Sequence, residues 1–104
     1  MSPYAKRVLD LVDRIPHGRV LAYGDVAELL GGGGPRQVAA VMARHGGEVA
    51  WHRVLRADGT CAPQVAARQL PQLRRERVPM TADGARVLMV QARWVPADND
   101  ITVR

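Results

Sequence analysis

The sequence predicts a small, mainly α domain built around a helix-turn-helix, with little β structure. Three observations carry that prediction. Apolar residues recur at helical spacing through the first half of the chain. Prolines and glycines bracket the runs where helices should start and stop. Only the stretch from Val87 to Trp94 reads as β-prone.

Taken in order, Ser2-Pro3 reads as a cap followed by proline at the first helical position. Tyr4, Val8, Leu11, Val12 and Ile15 then share one face of a helix running to about Arg14, and Pro16-His17-Gly18 ends it. A second helix is expected from Tyr23 to Leu30, with Val26, Ala27, Leu29 and Leu30 inward, stopped by the glycines 31–34. Pro35 opens a third helix to about His45, closed by Gly46-Gly47. Two short helices joined by a glycine turn, the second beginning with an arginine, form a helix-turn-helix pattern. The apolar segment from Val49 to Leu55 follows, then a turn over Ala57-Asp58-Gly59-Thr60. A fourth helix is expected from about Val65 to Arg77 with Leu70 and Leu73 inward; Pro71 inside it implies a late start, a kink or a break. The tail from about residue 97 to 104 reads as frayed.

A chain of 104 residues holds one domain and one modest core. Phe is absent, so Val, Leu, Ile, Ala and Met must build that core. The formal net charge is +5, and every basic residue except Lys6 is an arginine. Guanidinium is weakly hydrated and fits phosphate in a fork, which suits a polyanionic partner, although an Arg-favouring codon bias produces the same excess. No long apolar run opens the chain, since Lys6, Arg7, Asp10 and Asp13 interrupt it. The expectation is therefore a soluble cytoplasmic protein with no membrane partner.

The chemistry-bearing segment is Trp51-His52-Arg53-Val54. His52 is a potential base, but its neighbour is an indole, which is no nucleophile. Cys61 has no His, Lys or Arg immediately beside it and reads as an inert thiol. His17, His45 and His52 lack metal-ligand spacing, and no carboxylate pair stands out, so neither a metal nor a cofactor is expected. Read alone, the residues favour binding over catalysis.

Five segments together resemble a known family: Ile15-Pro16-His17-Gly18-Arg19-Val20, Ala22-Tyr23-Gly24-Asp25-Val26-Ala27, Pro35-Arg36-Gln37-Val38-Ala39, Trp51-His52-Arg53-Val54 and Asp58-Gly59. In this order and spacing they resemble the DNA-binding domain of the O6-alkylguanine-DNA alkyltransferases, over roughly residues 4–78. The repair enzymes carry Pro-Cys-His-Arg where this chain has Ala50-Trp51-His52-Arg53, so Trp51 stands at the acceptor position. That replacement is similar to the alkyltransferase-like proteins, which bind the same lesions without removing them.

The resemblance implies a winged-helix-like DNA-binding domain spanning 1–104 that is not an enzyme, and a monomer is the simplest expectation. Its partner would be duplex DNA containing O6-alkylguanine, flagged for nucleotide excision repair proteins, with the protein nucleoid-associated when bound. The second helix of the motif would enter the minor groove, where Ala39 and Ala40, with Ala43, keep it slim. Arg36 matches an intercalating finger, Gln37 lies beside it, and Tyr23 matches the tyrosine that presses on the target's 3′ phosphate. Trp51 would stack on the flipped base, with Arg53 among the lesion-binding residues. His52 and Val54 would support the pocket, and His52 and Arg53 would hold it through buried hydrogen bonds. The segment from Thr60 to about Arg68 would form the far wall, and Trp94 would pack on the core or close the pocket.

Several positions depart from the family pattern. Ala50 replaces a proline, Ala39 replaces a glycine, His45 sits near an expected asparagine, and Ala22 replaces a Thr or Ser cap at a cost of about 1 kcal/mol. Two competing readings remain open: a winged-helix DNA-binding regulator without lesion specificity, reading sequence in the major groove, and an enzyme whose acceptor has moved to Cys61.

Overall fold

The computed structural model describes residues 1–97, so most of the expected frayed tail lies outside the described residues. Helix α1 spans Pro3–Val12 and begins as its cap dictates: Ser2 Oγ accepts from the Ala5 N–H at 3.1 Å, with Pro3 in the first turn. It ends two residues short of the expected Arg14. There the Arg14 and Ile15 N–H groups donate to Leu11 and Val12, the tighter pairing in which helices commonly finish.

Strand β1 (Leu21–Ala22) leads directly into α2 (Tyr23–Leu30). Ala22 has no side-chain acceptor to cap α2, but the Asp25 carboxylate accepts from the Ala22 N–H at 2.8 Å. The cap missing from the sequence is thus half restored from inside the helix. The glycine turn follows, with Gly31 and Gly33 at φ of 74° and 77°. Helix α1 pins this turn: Tyr4 Oη donates to Gly32 O at 3.1 Å, and Arg7 donates to Leu30 O at 2.7 Å. A Cβ on Gly33 would run into the Tyr4 hydroxyl, so that site needs glycine for space as well as for backbone angle. Helix α3 (Pro35–His45) completes the helix-turn-helix at the expected bounds.

Two 3₁₀ turns, Gly46–Glu48 and Trp51–Arg53, carry the chain into β2 (Val54–Leu55). Strands β1 and β2 pair in parallel, with Leu21 opposite Val54 and Ala22 opposite Leu55. Because strand side chains alternate faces, this short ladder divides the interior in two. Leu21 and Val54 join α1, α2 and α3 in a first cluster with Val8, Val12, Ile15, Val26 and Val38. Ala22 and Leu55 join a second with Val20, Cys61, Leu73, Val87 and Ala92. The single modest core read from the sequence is therefore two clusters sharing a sheet.

Helix α4 spans Pro63–Arg75. It starts two residues earlier than expected, on Pro63, and continues through Pro71 without a break. Pro71 is exposed, so its ring lies on the solvent side while Leu73 stays buried. Arg77, at φ 60°, stops the helix, and the Val78 N–H returns to Leu73 O at 3.1 Å.

The β-prone reading of Val87 to Trp94 needs correction. Val87 and Arg93 make only isolated bridges, to Met80 and Val20, and between them lies a one-turn helix, α5 (Met89–Ala92). Met89 and Ala92, three apart, both turn into the second cluster while Val90 is 94% exposed. Packing at helical spacing overrides local β preference here. The architecture is mainly α with a two-stranded sheet, as expected, and no helix among the described residues is long and apolar enough to cross a membrane.

Candidate nucleic-acid interface

Helix α3, the Trp51 turn and the start of α4 enclose an open cleft of about 860 Å³. Tyr23, Arg36, Ala39, Ala40 and Trp51 all line it, so the structure brings together most of the residues singled out in the sequence. Ala43 extends the small-residue face of α3 along the same wall. Gln64, Val65 and Arg68 form the opposite side, within the segment expected to be the far wall.

Three consecutive residues of the 3₁₀ turn part company. A 3₁₀ helix has three residues per turn, so successive side chains point about 120° apart. Trp51 faces the cleft, half-buried, with the Arg68 guanidinium 5.3 Å from its ring centroid in a cation–π contact. The His52 ring meets the indole edge-on, with centroids 6.4 Å apart and planes at 85°. His52 and Arg53 turn inward to Glu76, the residue capping α4. His52 Nε2 lies 2.6 Å from Glu76 Oε2, Arg53 Nε and Nη2 donate to that carboxylate at 3.0 and 2.8 Å, and the Gly18 N–H donates at 3.0 Å. Arg53 Nη1 also donates to Ile15 O at 2.8 Å.

Burial alone would push the Glu76 carboxyl up; the hydrogen bonds from Arg53, Gly18 and His52 overcome it and hold the group at about 2. Arg53 is therefore committed to the interior by buried hydrogen bonds, as expected of it and of His52, and it lines none of the cleft, where a lesion contact was also expected of it. Val54 is fully buried in the first cluster. Gln37 is exposed and reaches back over Gly33 and Gly34 rather than into the cleft. Trp94 packs, half-buried, against the first cluster and is not part of the cleft wall.

Three residues that the sequence reading passed over, Glu76, Gln69 and Arg56, complete the region. Glu76 organises the buried knot; its only signal was a lone acid within Arg74-Arg75-Glu76-Arg77. Gln69, 1% exposed, donates from Nε2 to His52 O at 3.0 Å and Val54 O at 2.8 Å, fastening the Trp51 turn to α4. Its signal was the inward spacing of Gln69, Leu73 and Glu76. Arg56 and Arg68 line the cleft, where no carboxylate is found.

Cys61 is buried in the second cluster, and that burial raises its thiol pKa, only partly countered by the Arg56 charge. Such a thiol is a poor nucleophile. Tyr23 is raised as well, first by burial and then by Cys61, with Arg56 pulling the other way. Its phenol stays protonated and available as a donor. No cluster of metal-ligating side chains occurs among the described residues.

Residues 3–78 match the family model described as the DNA-binding domain of 6-O-methylguanine DNA methyltransferase. The chain belongs to that family. It is similar to S. pombe Atl1, solved in complex with damaged DNA containing O6-carboxymethylguanine. Identity is 30%, the TM-score is 0.79, and the match covers 92% of this chain and 98% of Atl1. That agreement along nearly the whole of both chains makes it an alkyltransferase-like member of the family. It is also 38% identical over 87 residues to the DNA base-flipping protein of Escherichia coli, covering 81% of this chain and 64% of that protein's length. A variant of the M. tuberculosis O6-methylguanine methyltransferase is 26% identical with a TM-score of 0.62, covering 80% of this chain but 55% of that one. This alkyltransferase-like chain thus spans just under two thirds of the E. coli relative and about half of the mycobacterial enzyme.

Proposed function

We propose that this alkyltransferase-like protein is a non-enzymatic sensor that holds a flipped O6-alkylguanine and flags it for nucleotide excision repair proteins. The observation that carries this reading is the chemistry of the cleft. It offers an indole face, three guanidinium groups and a tyrosine hydroxyl, but no nucleophile, because the only thiol is buried in the second cluster. Extruding a base from duplex DNA costs a few kcal/mol. Stacking on an aromatic face returns about 1–3 kcal/mol per base, and Arg68 leaves room for a π system between it and the indole only by moving, so it would act as a closing wall. The small side chains of α3 suit close approach to a minor groove. Arg36, exposed at the start of that helix, would occupy the place the extruded base leaves. The protein would act as a monomer.

The test is binding to one short duplex with and without a single O6-methylguanine, at two salt concentrations, for wild type and Arg36→Ala. Salt should weaken both complexes through counterion release, while only the damaged duplex gains a preference that Arg36→Ala erodes. The methyl group should remain on the DNA, shown by mass spectrometry of both partners. Equal binding of the two duplexes would reject the sensor and leave a winged-helix regulator; an alkyl adduct on Cys61 would make the protein an enzyme.

A further inference from the structure

The geometry points to Arg56 as a second phosphate ligand at the edge of the cleft, forming a clamp on the DNA backbone beside the extruded nucleotide together with Tyr23, whose phosphate contact the family resemblance already implies. The inference rests on the sensor reading and assigns Arg56 a role within it.

The parallel ladder delivers both residues at one end of the sheet. Leu21 lies opposite Val54 and Ala22 opposite Leu55, Tyr23 and Arg56 are the next residues of the two strands' chains, and the Arg56 charge acts on the Tyr23 phenol. The alternation of faces has sent the first pair into one cluster and the second pair into the other. Beyond the ladder, Tyr23 and Arg56 both line the cleft. Their backbones are held on both sides of the ladder. Tyr23 begins α2, and Arg56 begins a tight turn in which its N–H donates to Thr60 O at 3.1 Å and its carbonyl accepts from the Gly59 N–H at 2.9 Å.

The chemistry fits a phosphate. Arg56 is exposed and forms no ion pair among the described residues. The acid nearest in sequence, Asp58, is engaged by the Thr60 N–H at 3.0 Å and the Thr60 hydroxyl at 2.7 Å. No carboxylate lines the cleft to repel an anion. Arg68, by contrast, rests on the Trp51 ring, so the aromatic end of the cleft already has its cation. The Tyr23 phenol, kept protonated by burial, donates where the guanidinium attracts. A fork of charge-assisted donors beside a hydroxyl matches the tetrahedral oxygens of a phosphodiester.

The decisive experiment neutralises each partner in turn. Single methylphosphonates replace the phosphates on either side of an O6-methylguanine, and each duplex is titrated with wild type, Arg56→Gln and Arg56→Lys. The expected result is that one flanking methylphosphonate weakens wild type about tenfold but costs Arg56→Gln nothing further. With the natural phosphates, the slope of log K against log salt should fall by about 0.9 in Arg56→Gln and be kept in Arg56→Lys. Penalties that multiply for both flanking positions would overturn the clamp. So would an unchanged salt slope with an altered preference between O6-carboxymethylguanine and O6-methylguanine, which would place Arg56 against the adduct. The sensor reading is judged separately, by whether wild type prefers the damaged duplex.

Discussion

Behind the Trp51–Arg53 turn, Glu76 receives hydrogen bonds from His52, Arg53 and the Gly18 backbone, and no buried polar side-chain atom among the described residues is left without a partner. In front of the same turn, Arg36, Arg56 and Arg68 line an open cleft that contains no carboxylate. Two adjoining regions a few residues apart thus treat the same residue type in opposite ways. The Arg53 guanidinium is bonded to Glu76 and Ile15 O, largely buried and committed to holding the fold. The cleft arginines are exposed: Arg68 rests on the Trp51 ring, and Arg36 and Arg56 form no ion pair among the described residues. Arginine count therefore says little about DNA binding until each guanidinium is sorted by what it already holds.

The largest effect should come from breaking the saturated side. Glu76→Gln leaves the buried Arg53 guanidinium and the His52 ring facing a neutral amide, and removing one member of a buried ionic group costs about 3–5 kcal/mol. Denaturant unfolding should show that loss. The same contrast has a pH signature. The Glu76 carboxyl is held at about 2 in the fold against 4.5 for a free glutamate. Its folded-state value lies below the unfolded one, so its contribution is complete above about 4.5 and is lost as pH falls from there toward about 2. Acid unfolding of wild type should steepen across that window, and Glu76→Gln should lose that part of the pH dependence.

On the open side, Trp51→Ala should weaken binding of a damaged duplex by about 1–3 kcal/mol, the contribution of one base–aromatic stack. Titration against damaged and undamaged DNA checks it, and an equal loss on both would make Trp51 a structural residue. Arg36→Ala should lower the preference for damaged DNA by about tenfold, or about 1.4 kcal/mol, with little change in unfolding free energy because the residue is exposed. The smallest effect is expected at Cys61. Incubation with alkylated DNA should leave the intact protein mass unchanged, since burial keeps that thiol protonated.

Helices α1, α2 and α3 were legible because their signals are local. Ser2-Pro3, the glycines 31–34 and Pro35 act within one helical turn of where they stand. Tyr23, Arg36, Ala39, Ala40 and Trp51 could be singled out by motif spacing, and they do share one cleft. Arg53 was legible in part. The resemblance implied buried hydrogen bonds for it as well as a lesion contact, but nothing local pointed to Glu76, its partner 23 positions away. The stretch from 87 to 94 was misjudged for a related reason: β-prone composition is local, whereas the second cluster that buries Met89 and Ala92 is assembled from distant segments.

By itself the sequence determined the helical class, the helix-turn-helix with its glycine turn, and the family, because capping, periodicity and motif order act over a few residues and survive in one dimension. The tertiary structure alone decided that Gln69 and Glu76 fasten the Trp51–Arg53 turn to α4, that Arg53 is kept out of the cleft, and that Arg56 and Tyr23 line it together. Those arrangements depend on hydrogen bonds and strand register between residues 15 or more positions apart. Such pairings are set by how the two clusters pack, and packing leaves no periodic mark along the chain.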